Sequence, residues 1–157
     1  MRATRSHLVR HAADLATRLW TMGADLDGDP VMTVKDDGTM TFRMDASLPD
    51  SGIPDRALLT VREEWRSIGR EFERVAYAYE LIDHPRRRRR AFHRHDTDRF
   101  LAVHDVAVHE HCEETLGLPA CDHYAGDPVP DGYRGIELLL LAWTDEPLGC
   151  NGLRCLA

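Results

Sequence analysis

The run EFERVAYAYELID, residues 71–83, constrains this chain more than any other stretch. Val75, Tyr77, Tyr79 and Leu81 recur at every second position, with small or acidic residues between them. That period belongs to a strand with one buried face. It does not fit a helix, whose apolar positions recur every three or four residues. A strand of this kind needs paired neighbours for its backbone groups, so the surrounding chain must supply a sheet.

The flanking sequence does so. VMTV and TMTFRM flank KDDG, a strong hairpin signal in which Met40, Phe42 and Met44 alternate with polar residues. ALLTVREEWRSI reads as a third strand, residues 71–83 as the fourth, and RRRAFHRH, after the turn HPRR, as a fifth. Connections this short favour an antiparallel meander. SLPDSGIPD reads as a loop and DLDGDP as a surface turn. The latter lacks the spacing and the glutamate of a calcium loop.

Helical periods flank this block. Residues 6–22 carry Leu8, Ala12, Leu15, Leu19 and Met22 on one face, with Ser6 as the expected cap and Gly23 as the stop. After Asp96, the positions Leu101, Val108 and Cys112 predict a second helix ending at Gly117, and PACDHYAGDPVP a loop. DGYRGIELLLLAWT predicts a third helix, apolar enough to be deeply buried. The expected fold is therefore α+β. A single domain over residues 1–157 would hold an antiparallel sheet of about five strands, one N-terminal helix and two C-terminal helices. The apolar content, 43%, and charged content, 30%, are those of a folded protein.

No apolar run is long enough to span a bilayer, and histidine and aspartate interrupt the N-terminal stretch where a signal peptide would be apolar. A cytoplasmic location is the expectation. In that reducing setting Cys112, Cys121, Cys150 and Cys155 point to metal binding or burial rather than disulfides. The net charge is −7, yet residues 84–95 hold six arginines and no acid. Such an island attracts an anion locally without forming the broad basic face of a DNA-binding domain.

Seven of the nine histidines fall between residues 84 and 123, in two clusters. The first is HEHCEETLGLPACDH, residues 109–123. On a helix, His109 and Cys112 are neighbours on adjacent turns, while His111 turns away and aligns with His104. One helical pair plus Cys121 and His123 from the following loop supplies the four ligands of a closed, structural zinc site. The plainer alternative makes Cys112 a small core residue and leaves the histidines in solvent. Cys150 and Cys155 read as structural.

The second cluster is RRRRRAFHRHD, residues 86–96. On a strand His93 and His95 share a face, about 7 Å apart, together with Arg87 and Arg89. Arg88 and Arg90 face the other way. One imidazole would take the proton of an attacking 2′-hydroxyl and the other would protonate the leaving oxygen, with Arg89 steadying charge on phosphorus. Arg87, Arg88 and Arg90 would hold phosphate, and Tyr77 or Tyr79 would stack a base. The alternatives are a solvated edge strand that resists aggregation, or a metal-dependent hydrolase using His93, His95 and His104 or Asp98.

The segment VAYAYELIDHPRRRRRAFHRHD, an aromatic strand, a turn, a basic strand and then histidines, resembles the TumE-like toxins over residues 72–96. The family's arginine-tyrosine-aspartate followed by paired histidines is replaced here by Ala91-Phe92-His93-Arg94-His95-Asp96. FHRHD, VHEHCEE and CDHY also resemble uncharacterised actinobacterial proteins. The toxin resemblance implies RNA as substrate and an antitoxin as partner, and no catalytic residue carries over from it. The functional expectation is a zinc-stabilised protein that binds or cleaves RNA, or another phosphate-bearing ligand, through the basic hairpin. Its alternative is a non-catalytic module for protein interaction.

Overall fold

The structure, a computed structural model, describes residues 1–48, 57–85, 87–94, 102, 108–113, 121–124 and 131–144. For 108–113, 121–124 and 142–144 it describes the backbone alone. In chain order the elements are β1 (Arg2–Ala3), α1 (Arg5–Thr21), β2 (Asp25–Leu26), β3 (Val31–Val34), β4 (Met40–Ser47) and β5 (Leu58–Ile68). They continue with β6 (Glu71–Asp83), β7 (Arg88–Arg94), β8 (Val108–Glu113), β9 (Cys121–Tyr124) and α2 (Gly132–Thr144). All strands join one antiparallel sheet in the order β2-β4-β5-β6-β7-β8-β9, with β1 added to β6 and β3 to β4. No helix among the described residues is long and apolar enough to cross a membrane.

The five expected strands appear as β3–β7, but the described sheet has nine strands rather than about five. Turn chemistry explains connections among these five. Gly38 closes the β3–β4 hairpin at φ 78°, and its N–H donates to the Lys35 carbonyl at 2.9 Å. Gly69, at φ 64°, opens the two-residue turn between β5 and β6, where a positive φ matches strand twist. Helix α1 starts two residues earlier than expected. Thr4, not Ser6, is its cap, and it accepts a hydrogen bond from the His7 N–H. At the other end Gly23 takes φ 82°, while the Ala24 and Gly23 amides close onto the Leu19 and Trp20 carbonyls.

The expected second helix is corrected. Residues 108–113 form a strand on the edge of β7, and residues 121–124, expected as loop, form the next strand. Positions 101, 108 and 112 fit a helical period, but an unpaired β7 edge offers a ladder of backbone donors and acceptors. That long-range pairing overrides a weak local period. The earlier part of the expected helix lies largely outside the described residues.

Both helices pack on one face of the sheet. Leu15 and Leu19 of α1 and Ile136 and Leu139 of α2 join Phe42, Met44, Leu59, Val61, Tyr79, Leu81 and Phe92 in one core. Helix α2 is less buried than its composition predicts. Its stripe is Gly132, Gly135, Ile136 and Leu139, and Leu141 is 53% exposed. Gly135 permits the close approach, because a Cβ there would overlap the Tyr79 ring.

The core also contains ions. Glu63 occupies the buried phase of β5, between Val61 and Trp65, and its carboxylate is wholly shielded from solvent. It accepts hydrogen bonds from the Tyr79 hydroxyl at 2.6 Å, Arg74 Nη1 at 3.2 Å and the Trp65 indole N–H at 3.1 Å. His11 Nε2 of α1 lies 3.2 Å from it. Arg74 reaches this point because of a bulge. The β5–β6 register shifts beside Trp65, so Arg74 faces Trp65 and Val75 is the extra residue. Without the bulge, strict alternation from Tyr77 would place Arg74 on the opposite face.

Burial by itself raises the Glu63 carboxyl pKa. Hydrogen bonding and charge from His11, the charge of Arg74 and the Tyr79 hydroxyl outweigh it and hold the group below its ordinary 4.5. The Tyr79 phenol moves far above 10, through burial first and the Glu63 charge second, so it remains a donor.

Because the folded pKa of Glu63 lies below the unfolded one, its stabilisation is complete above about pH 4.5 and is lost as pH falls through the folded value. Glu63→Gln should cost about 3–5 kcal/mol at neutral pH, since Arg74 is left buried without its counter-charge. Urea denaturation should show that deficit shrinking well below pH 4.5. Gly135→Ala should lose about 1–3 kcal/mol in the same assay through overpacking against Tyr79.

Candidate functional site

The basic hairpin has less free charge than its sequence suggests. Arg87 lies in the β6–β7 turn at φ 55°, a left-handed conformation uncommon for a side chain of this size, and it is exposed. Arg88 stands opposite Asp83 and is exposed. Arg89, expected to steady a phosphorane, instead donates its Nε to Glu80 at 2.8 Å, with both side chains about one-fifth exposed. Arg90 is half-buried opposite Leu81. His93 is half-buried, and its expected partner His95 lies outside the described residues, as do His104, Cys150 and Cys155.

The two tyrosines are corrected as base-stacking residues. Tyr77 and Tyr79 are 2% and 0% exposed, stacked on each other with centroids 4.9 Å apart. The Arg74 guanidinium covers the Tyr77 ring at 4.7 Å. Their ring faces are taken up in the core.

Strand register brings other residues together. On the sheet face away from the helices, Arg43 of β4 stands opposite Arg62 of β5, Arg62 opposite Ala78 of β6, and Ala78 opposite His93 of β7. The row continues to position 109, a histidine, on β8 and position 124, a tyrosine, on β9. One line perpendicular to the strands thus carries two arginines, an alanine and two histidine positions. Position 109 stands directly opposite His93 across the β7–β8 ladder.

A trough of about 450 Å³ lies over the β4–β6 part of this face. Thr41, Arg43, Arg62, Glu64, Ala76 and Ala78 line it together with Phe42, Glu63 and Tyr77. The alanines matter because their short side chains leave the hollow that a large residue would fill. Arg62 is exposed, and Arg43 is 54% exposed in its side chain. Arg43 donates its Nε to Asp45 at 2.6 Å, and that contact raises its pKa. A guanidinium has five N–H donors, so one ion pair does not exhaust it. Lys35 pairs with Glu64 at 3.2 Å, offsetting that carboxylate on the open rim. Towards β7 the face closes, with Ala91 wholly buried.

Sequence reasoning missed Arg43 and Arg62 because it looked for charge density along the chain. Their signal was phase: each is an arginine at an off-core position of an alternating strand, and register alone makes them neighbours.

The histidine–cysteine cluster also changes geometry. With residues 108–113 extended, His109 and Cys112 are an odd number of residues apart and occupy opposite faces of the sheet. The helical pairing of His109 with Cys112 is thereby removed. Cys112 instead stands opposite Cys121, and His123 opposite Glu110. Among the residues with described side chains, no three His, Cys, Asp or Glu groups converge as metal ligands would.

Tyr77→Ala should behave as a core truncation, costing about 3–5 kcal/mol, as denaturation midpoints would show. An affinity loss without destabilisation would contradict its burial. No family model, curated protein or solved structure matches the chain.

Proposed function

We propose that this protein binds RNA, or another phosphate-bearing ligand, along the open face of its sheet. The observation that supports this most is the cross-strand row Arg43–Arg62–Ala78–His93–position 109 beside a trough that Arg43 and Arg62 line. Two exposed guanidinium groups offer forked donors to phosphate oxygens. The hollow over Ala76 and Ala78 gives the attached nucleoside room. The exposed Arg87 of the β6–β7 turn adds positive charge near the start of β7. The likeness of residues 72–96 to the TumE-like toxins points the same way, to RNA as ligand and to an antitoxin as protein partner.

A second reading rests on His93 standing opposite position 109. Facing strand positions have Cβ atoms about 5 Å apart, so a histidine at each would supply an acid and a base to one phosphodiester. In this reading the protein cleaves its RNA. The 2′-hydroxyl oxygen attacks phosphorus, one histidine accepts its proton, and the other protonates the departing 5′-oxygen.

Fluorescence anisotropy with a labelled single-stranded RNA tests the binding. Arg43→Ala/Arg62→Ala should weaken affinity at least about tenfold and reduce the salt slope by roughly 1.4, at about 0.7 per phosphate contact. Unchanged affinity and slope would refute the site. His93→Ala, assayed on the same RNA by gel, should abolish cleavage while retaining binding. If the wild type binds and does not cleave, the binding reading stands alone.

A further inference from the structure

The register of β8 on β9 places Cys112 opposite Cys121 and Glu110 opposite His123. The two pairs are adjacent along the ladder on the same side, because 110 and 112, like 121 and 123, differ by two. Four positions bearing possible metal ligands therefore form the corners of one quadrilateral. Its sides are about 5 Å across the strands and about 7 Å along them. It lies on the sheet face that β7 continues with Phe92 and Arg90, which is the helix-side face.

We infer that this end of the sheet binds zinc, because register brings positions 110, 112, 121 and 123, a glutamate, two cysteines and a histidine, to one corner of one face. Zinc takes four ligands of this kind, and a quadrilateral of four such positions meets that count. Two thiolates, an imidazole and a carboxylate favour zinc over the hard cations, which prefer an all-oxygen set. The assignment differs from a helix-based one in a single ligand. Position 109 falls on the opposite face, in the row with His93, and Glu110 takes its place.

The site also has a physical role. Strand β9 has four residues and ends the described sheet, paired through β8 alone. An end strand so short gains little from its own ladder. A metal shared by both strands would fix their register by joining groups brought together only in the folded state. The proposal does not depend on RNA binding, since the two sets of positions occupy opposite faces.

Metal analysis of tag-free, thiol-reduced protein should find about one zinc per chain. Cobalt titration of the metal-stripped protein should give the near-ultraviolet thiolate-to-cobalt band of a two-sulfur site. Cys112→Ser and Cys121→Ser should each reduce that band, while His123→Ala and Glu110→Gln should weaken cobalt affinity at least tenfold. His109→Ala should leave both unchanged, with circular dichroism confirming the fold of each variant. Failure of the reduced wild type to take up zinc or cobalt would overturn the inference. So would loss of affinity in His109→Ala equal to that in His123→Ala, or a Cys112–Cys121 disulfide that persists in the protein as isolated from the cytoplasm.

Discussion

Four side chains from three elements converge on one buried carboxylate, and the rest of the fold is arranged about that point. Glu63 lies between the sheet and the helices, with His11 reaching it from α1, Arg74 and Tyr79 from β6, and Trp65 from its own strand. Gly132, at the start of α2, lies so close that a Cβ there would stand 3.4 Å from the carboxylate. A buried charge is costly unless its hydrogen bonds and counter-charge are all present. Each element must therefore adopt one register to satisfy it. Apolar contacts tolerate sliding, but a carboxylate held by four donors does not. The network thus fixes where both helices sit.

That placement divides the sheet into two unlike faces. One is filled by helices, tyrosines and methionines. The other carries Thr41, Arg43, Arg62, Glu64, Ala76 and Ala78, alternating with the core residues along the same strands. The bulge beside Trp65 belongs to this division. It turns Arg74 inward to neutralise Glu63 and so removes one arginine from the open face. Charge on this protein is sorted by strand phase rather than by sequence density. The densest arginine run loses Arg89 to Glu80 and half-buries Arg90, while two isolated arginines border the trough.

The candidate site was partly legible. His93 keeps the position on a basic alternating strand expected from the sequence, half-buried and opposite position 109. Tyr77 and Tyr79 were misassigned because alternation shows that residues share a face without showing which face is covered. His109 and Cys112 were misassigned because a stretch of valines, histidines and glutamates carries too little periodicity to separate helix from strand. The Glu63 network did leave a mark, a glutamate at the buried phase of Leu59, Val61 and Trp65. That mark becomes interpretable only when the bulge brings an arginine beside it.

From its own residues the chain determined the meander from Val31 to Arg94, the amphipathic α1 and the helical 131–144 segment. In each, local period and turn chemistry agree, and neither needs a distant partner to be read. Tertiary structure decided the strand state of 108–113 and 121–124, the inward turn of Arg74 and the row that joins Arg43 to His93. Each of these is a pairing between segments far apart in sequence. A strand's register depends on which neighbour satisfies its backbone hydrogen bonds, and that choice is made only when the whole sheet assembles.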